Sequence, residues 1–174
     1  WRFDNSVGQL SAISVTGMGM GTNQLVGVHN DFFGAGYTIG DPIYPAAIYF
    51  ASREPGGQTI SSTVENVHVY LGSGDDVFAV DSTYSYGTSY VHGGAGADTI
   101  TVGATPVGLN PNSLRRVDFV AGPLHLNGEG GADAIVVDDS GDDNANVGTY
   151  TGDQVTGLDL PATGAIVFDA PDNI

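Results

Sequence analysis

Gly93-Gly94-Ala95-Gly96-Ala97-Asp98-Thr99-Ile100-Thr101 is the stretch on which the fold turns. Glycine accepts the positive φ of a tight turn, so this run lets the chain double back with its carbonyl oxygens facing inward. Asp98 adds a hard anionic oxygen. The β-branched residues that follow have the composition of a strand whose apolar member drops into a core. Two other stretches share the arrangement: Leu71-Gly72-Ser73-Gly74-Asp75-Asp76-Val77-Phe78-Ala79 and Asn127-Gly128-Glu129-Gly130-Gly131-Ala132-Asp133-Ala134-Ile135. The first has Leu71 in place of the leading glycine, and the third reads as having one additional residue in its glycine run.

Strands are predicted at 67–71, 77–80, 99–102, 124–126 and 134–137, each short and bounded by Gly/Asp turns, and no window sustains a helical period. The fold class expected is all-β, as a parallel β-solenoid (β-helix) with irregular loop insertions. The step from Asp76 to Asp98 suits one full coil. That spacing stacks loop 72–76 beneath loop 94–98 and brings Asp76 near Asp98. The longer step from Asp98 to Asp133 requires a looped-out excursion, placed at 107–122 between prolines and containing Arg115-Arg116.

The chain also repeats itself end to end. Ser6-Val7-Gly8 and Val15-Thr16-Gly17 return near the other end, at one constant offset, as Asn146-Val147-Gly148 and Val155-Thr156-Gly157. Beyond that the offset shortens, and Gly57 to Val67 aligns loosely with Gly164 to Ile174. The difference implies an aromatic insertion at about 21–56, carrying His29, Tyr37, Tyr44 and Tyr49. Residues 1–174 therefore read as a single segment of a longer tandem array, with exposed ends suited to head-to-tail stacking.

Composition narrows the function. Arg2, Arg53, Arg115 and Arg116 are the four formal cations against 20 acids, for a net charge of −16. Nucleic acid is excluded as a partner, since it needs a basic face to displace counterions. Seventeen of the acids are Asp, a turn and loop residue, so the charge sits in loops. Cysteine is absent, which removes disulfides and thiolate sites. No apolar run is long enough to span a membrane, and a secretion signal would have to lie outside this stretch.

The 93–101 stretch fits the pattern G-G-x-G-x-D-x-U-x, with U a large apolar residue, and so resembles the RTX or haemolysin-type calcium-binding repeat. The resemblance covers roughly 67–137. It implies Ca2+ held between loops on successive turns by Gly72, Gly74, Asp75, Asp76, Gly94, Gly96, Asp98, Gly128, Gly131 and Asp133. True repeats of that family follow one another directly as nonapeptides, so its regular β-roll is not expected here. The alternative for these loops is plain Asx turns, the Asp accepting backbone amides with no metal. More loosely, the order of motifs looks like the long tandem units of giant bacterial surface and secreted proteins, whose activity is adhesive or structural.

Asp138-Asp139-Ser140-Gly141-Asp142-Asp143 packs four carboxylates into one short run and is either a calcium site or a solvated turn. Aligned on the loop aspartates, His68, Tyr90 and His125 form a mixed wall ladder with His92 two positions off it, which argues against a stacked histidine metal site. The expectation is therefore a non-enzymatic structural or adhesive module, extracellular or at the cell surface, partnered by neighbouring copies or repeats and by cell-surface glycan. Its rivals are a carbohydrate-binding module using Tyr37, Tyr44 and Tyr49, and a β-helix polysaccharide lyase or glycosidase using Asp75, Asp76 and Arg115 or Arg116.

Overall fold

A computed structural model describes residues 7–11, 14–17, 29–30, 36–37, 47–49, 52–53, 60–104 and 115–169. Among them are sixteen strands and no helix, and the protein is all-β. One six-stranded sheet runs β13 (Ala134–Val137), β11 (Thr99–Val102), β9 (Val77–Val80), β1 (Val7–Leu10), β2 (Ser14–Gly17) and β5 (Ala47–Tyr49). The other runs β14 (Gly148–Tyr150), β15 (Gln154–Gly157), β16 (Ala165–Phe168), β12 (Pro123–Asn127), β10 (Thr88–His92) and β8 (Asn66–Tyr70). Two small antiparallel pairs complete the set: β3 (His29–Asn30) with β4 (Gly36–Tyr37), and β6 (Ser52–Arg53) with β7 (Ile60–Ser61).

From β8 to β13 the chain alternates between the sheets, passing from the second to the first each time through one of the three Asp/Gly loops. Within each sheet these strands pair in parallel, Tyr90 with His68 and Ile100 with Phe78, then Tyr90 with His125 and Ile100 with Ile135. Period-2 alternation puts Val91, Ile100, Val102, Leu124 and Leu126 inside, where each is fully or almost fully buried. Each such side chain contributes about 1.5–3 kcal/mol by leaving water. Leu10, Phe78, Val80 and Ile166 complete the same core.

Two expectations change. The sheets are mixed, because β1–β2, β2–β5, β14–β15 and β15–β16 are antiparallel. Connections as short as 11–13 and 151–153 have no room for the crossover that parallel neighbours need. Residues 115–122 of the expected excursion also pack against the body. Val117 and Val120 are fully buried, Val120 bridges Thr83, and the Thr83 hydroxyl both donates to Gly122 O and accepts from Gly122 N. Residues 105–114 lie outside the described residues.

The internal repeat is carried by strand register. Gly8 pairs with Gly17 and Leu10 with Val15; in the second copy Gly148 pairs with Gly157 and Tyr150 with Val155. The third strands match too, Val15 facing Ile48 as Val155 faces Ile166. The continuation of the repeat is thus β5 with β16, rather than Gly57 onward with Gly164 onward. The extra residues of the first copy lie between Gly17 and Ala47. Of the aromatic segment at 21–56, Tyr37 and Tyr49 are described as strand backbone, and Tyr44 lies outside the described residues.

Candidate functional site

The three loops lie one on another in register, with Ser73 bridging Ala95 and Ala95 bridging Gly130. Gly74 N donates to Ala95 O at 2.7 Å, and Ala95 N to Gly72 O at 2.9 Å. The next step repeats this: Gly96 N to Gly130 O at 2.9 Å and Gly130 N to Gly94 O at 2.7 Å. Gly96 holds φ at +140°, and a Cβ there would drive into the Gly74 carbonyl. The glycine spacing is therefore set by how closely successive loops approach.

Register removes the apparent extra residue in the third loop. Asn127 pairs with His92, Gly130 with Ala95 and Ala134 with Thr99, so Glu129 occupies the place of Gly94. Glu129 has a φ of +63°, a conformation L-residues adopt at some cost. Its amide is held by Asn127 Oδ1 at 2.9 Å and its carboxylate by His92 Nδ1 at 3.0 Å.

The loop aspartates form a ladder between layers. Asp98 Oδ1 accepts from Asp76 N at 2.9 Å, Asp133 Oδ1 from Asp98 N at 2.9 Å, and Asp75 Oδ1 from Ala97 N at 2.8 Å. Asp98 is 1% exposed. Burial raises its pKa, the Asp76 amide opposes that, and the charges of Asp133, Asp76 and Asp75 raise it further. Its second oxygen, Oδ2, is buried without a hydrogen bond and lies 2.7 Å from where a Gly93 Cβ would sit. Asp133 Oδ2 stands likewise 2.5 Å from a Gly128 Cβ position. The leading glycine of the motif thus makes room for the motif's own carboxylate. In the first loop Leu71 replaces that glycine, and its side chain is buried in the core.

All the residues expected to hold calcium fall in this one stack. Of their oxygens, the Gly72 and Gly94 carbonyls and one oxygen each of Asp75, Asp98 and Asp133 accept amides from a neighbouring loop, while Asp98 Oδ2 is buried without a hydrogen bond. Calcium takes about six to eight oxygens, and amide hydrogen bonds between successive loops knit the stack that would supply them.

A different constellation converges. Asp118, Asp139 and Asp142 place a carboxylate oxygen each within 4.8 Å of one another. Asp118 Oδ1 is buried without a hydrogen bond, and the Asp142 side chain is 1% exposed. Around them Val117 N and Asn146 Nδ2 donate to Asp139, Asn144 N and Asn146 Nδ2 donate to Asp142, and Arg116 stands 3.8 Å from Asp142. Burial raises the Asp118 pKa and the Asp142 charge adds to it, while Arg116 acts the other way. The neighbouring Asp138 has a lowered pKa. Burial would raise it, but hydrogen bonds from the Ser140 hydroxyl and amide and from Arg115 outweigh that. The run 138–143 is visible in the sequence; Asp118 is not, because only the tertiary fold brings it there.

On the second sheet the expected wall ladder is present. His68 stacks on Tyr90 at 4.3 Å and Tyr90 on His125 at 4.9 Å; Tyr70 stacks on His92 at 4.3 Å, one step along. Asp169 caps the ladder through His125 Nδ1 at 3.0 Å. These rings face one another across strands. An open groove of about 550 Å³ lies where β13 and the β14–β16 hairpins diverge, lined by Leu126, Ile135, Val137, Tyr150, Val155 and Phe168 among others. No helix among the described residues is long and apolar enough to cross a membrane. Comparison of the chain with protein families, with curated proteins and with solved structures found no match.

Proposed function

We propose that this chain is a non-catalytic structural segment of a β-solenoid, similar to the RTX-type repeats its loops resemble, and that it serves as a rigid spacer or adhesive stalk outside the cell. The observation that carries this reading is the use made of the loop motif. Copy after copy does the same work, its glycines admitting the next loop and its aspartate holding the adjacent layer's amide. Residues repeated for one structural task are poor material for a unique active centre, so the lyase and glycosidase reading has no support from the arrangement of Asp75, Asp76 and Arg115.

Calcium enters the proposal at Asp118, Asp139 and Asp142, which place a carboxylate oxygen each within 4.8 Å of one another and where Asp118 Oδ1 is buried without a hydrogen bond. A cation there would neutralise charge that otherwise opposes compaction and would pin the turn after β13 to the segment before β12. Extracellular calcium is abundant enough to saturate a weak site of this kind.

The test is thermal unfolding with and without chelator, with metal content measured in parallel. Calcium binding to the folded form alone at about 100 times its Kd stabilises by about 2.7 kcal/mol. The expected result is a midpoint lowered by chelator and restored by calcium, a response lost in Asp118→Asn and kept in Asp98→Asn. A midpoint indifferent to chelator, with no ion retained, overturns the calcium assignment; a response lost in Asp98→Asn and kept in Asp118→Asn returns it to the loops.

A further inference from the structure

The two copies of the three-stranded unit, β1–β2–β5 and β14–β15–β16, share one internal register but are attached to the body by opposite edges. The first joins through β1, which pairs in parallel with β9: Val7 with Val77, Gly8 with Phe78, Gln9 with Ala79, Leu10 with Val80. The second joins through β16, which pairs in parallel with β12. Consequently β14, the counterpart of β1, stands at the sheet's edge among the described residues, and β5, the counterpart of β16, does so in the other sheet.

Burial at matched positions shows what the β14 edge lacks. Leu10, beside Val80 of β9 and in the core, is 0% exposed, whereas its counterpart Tyr150 is 69% exposed and Val147 is 84% exposed. Backbone groups are equally ready. Val147 O and Thr151 N bond towards β15, so alternation along the strand turns Gly148 and Tyr150 outward. In the first copy the corresponding Leu10 carbonyl accepts from Asp81 N at 2.9 Å on the β9 side. An open edge with large apolar side chains is a template for another strand.

We infer that the β14 edge is a docking surface for a strand of β9 type, entering in parallel with the sequence of residues 71–80 from a further copy of this repeat. The pairing is fixed by the first copy: Gly148 opposite the Phe78 position and Tyr150 opposite the Val80 position. Each three-stranded unit is then a connector, taking β12 of one repeat on its β16 edge and β9 of the next on its β14 edge. It passes the stack from one sheet to the other once per repeat. This deepens the spacer reading by locating its repeat-to-repeat contact, and rests on that reading for the existence of a next repeat. Because β9 within this chain is already covered by β1, a separate copy docks only by displacing its own β1, which favours the strand of a following repeat as occupant.

The experiment adds a synthetic peptide, Leu-Gly-Ser-Gly-Asp-Asp-Val-Phe-Ala-Val, to the full chain in excess chelator and follows amide hydrogen exchange. Expected are saturable slowing at Gly148 and Tyr150, and loss of that slowing in Tyr150→Pro, which removes the outward amide. Protection at 154–157 is read in the same spectra to confirm that the variant's β15–β16 pairing stands. Slowing that centres on β13 instead, that survives Tyr150→Pro, or that is absent at saturating peptide overturns the inference. Since chelator is present throughout, failure of the calcium assignment leaves this outcome unaffected.

Discussion

Asp98 separates a hydrogen-bonding role from a charge role within one side chain. Its Oδ1 accepts the amide of Asp76, which is itself 1% exposed, across 2.9 Å. Asp98→Ala leaves that buried amide without an acceptor, at a cost of about 1–3 kcal/mol. For a chain of this length about 2–4 °C of midpoint accompanies each kcal/mol, so the variant is expected to melt about 2–12 °C lower. Asp98→Asn keeps the acceptor and removes a buried charge that faces Asp133, Asp76 and Asp75. Its midpoint is therefore expected to equal or exceed that of the native chain at neutral pH. The assay is scanning calorimetry of the native chain and both variants in chelator, with urea unfolding as a second measure. Should Asp98→Asn fall as far as Asp98→Ala, the carboxylate charge itself is needed and the reasoning from hydrogen bonding fails.

Gly96→Ala places a methyl against the Gly74 carbonyl at a φ of +140°. The variant is expected to lose several kcal/mol or fail to fold, and a midpoint within about 2 °C of native, on the scale of about 2–4 °C per kcal/mol, would refute the close stacking of the loops. Ile100→Ala, in the column between Phe78 and Ile135, is expected to cost about 2–5 kcal/mol by urea unfolding. The pH profile has a definite sign. Asp81, Asp98 and Asp118 have raised pKa values, so their stabilising contribution is present in acid and lost as pH rises through those values. Asp138 has a lowered value, so its contribution is present above the ordinary 3.8 and lost below it. The melting midpoint in chelator is expected to rise as pH is lowered from neutral towards 3.8 and to fall below it; a midpoint that declines steadily from neutral pH contradicts the buried-carboxylate account.

Much of the fold is legible in local sequence. The five predicted strands coincide with observed ones to within a residue, because Gly/Asp turns flanking short β-branched runs are a local signal. The spacing of the first two loops places Asp76 against Asp98, as the Asp76 amide bond to Asp98 bears out, and counting back from the loop aspartates gives the His68, Tyr90, His125 ladder. Spacing between loops is arithmetic that survives folding. Less is legible where two segments have to be matched. The third loop reads as having an extra residue because Glu129 does not look like a glycine, yet it takes the glycine's backbone conformation. The repeat is misaligned past its first two strands because Gly57 resembles Gly164 as text, whereas strand pairing joins Ala47–Tyr49 to Ala165–Phe168 by register.

By itself the sequence determined that the chain is all-β, that the acids among the described residues lie outside strands, and that three loops repeat one design, since each of these depends on residues a few positions apart. The tertiary structure decided what the loop oxygens bond to, which carboxylates converge and which edge is left open. Those outcomes depend on the register between strands far apart in the chain, and a slip by a single position in register turns every side chain to the opposite face.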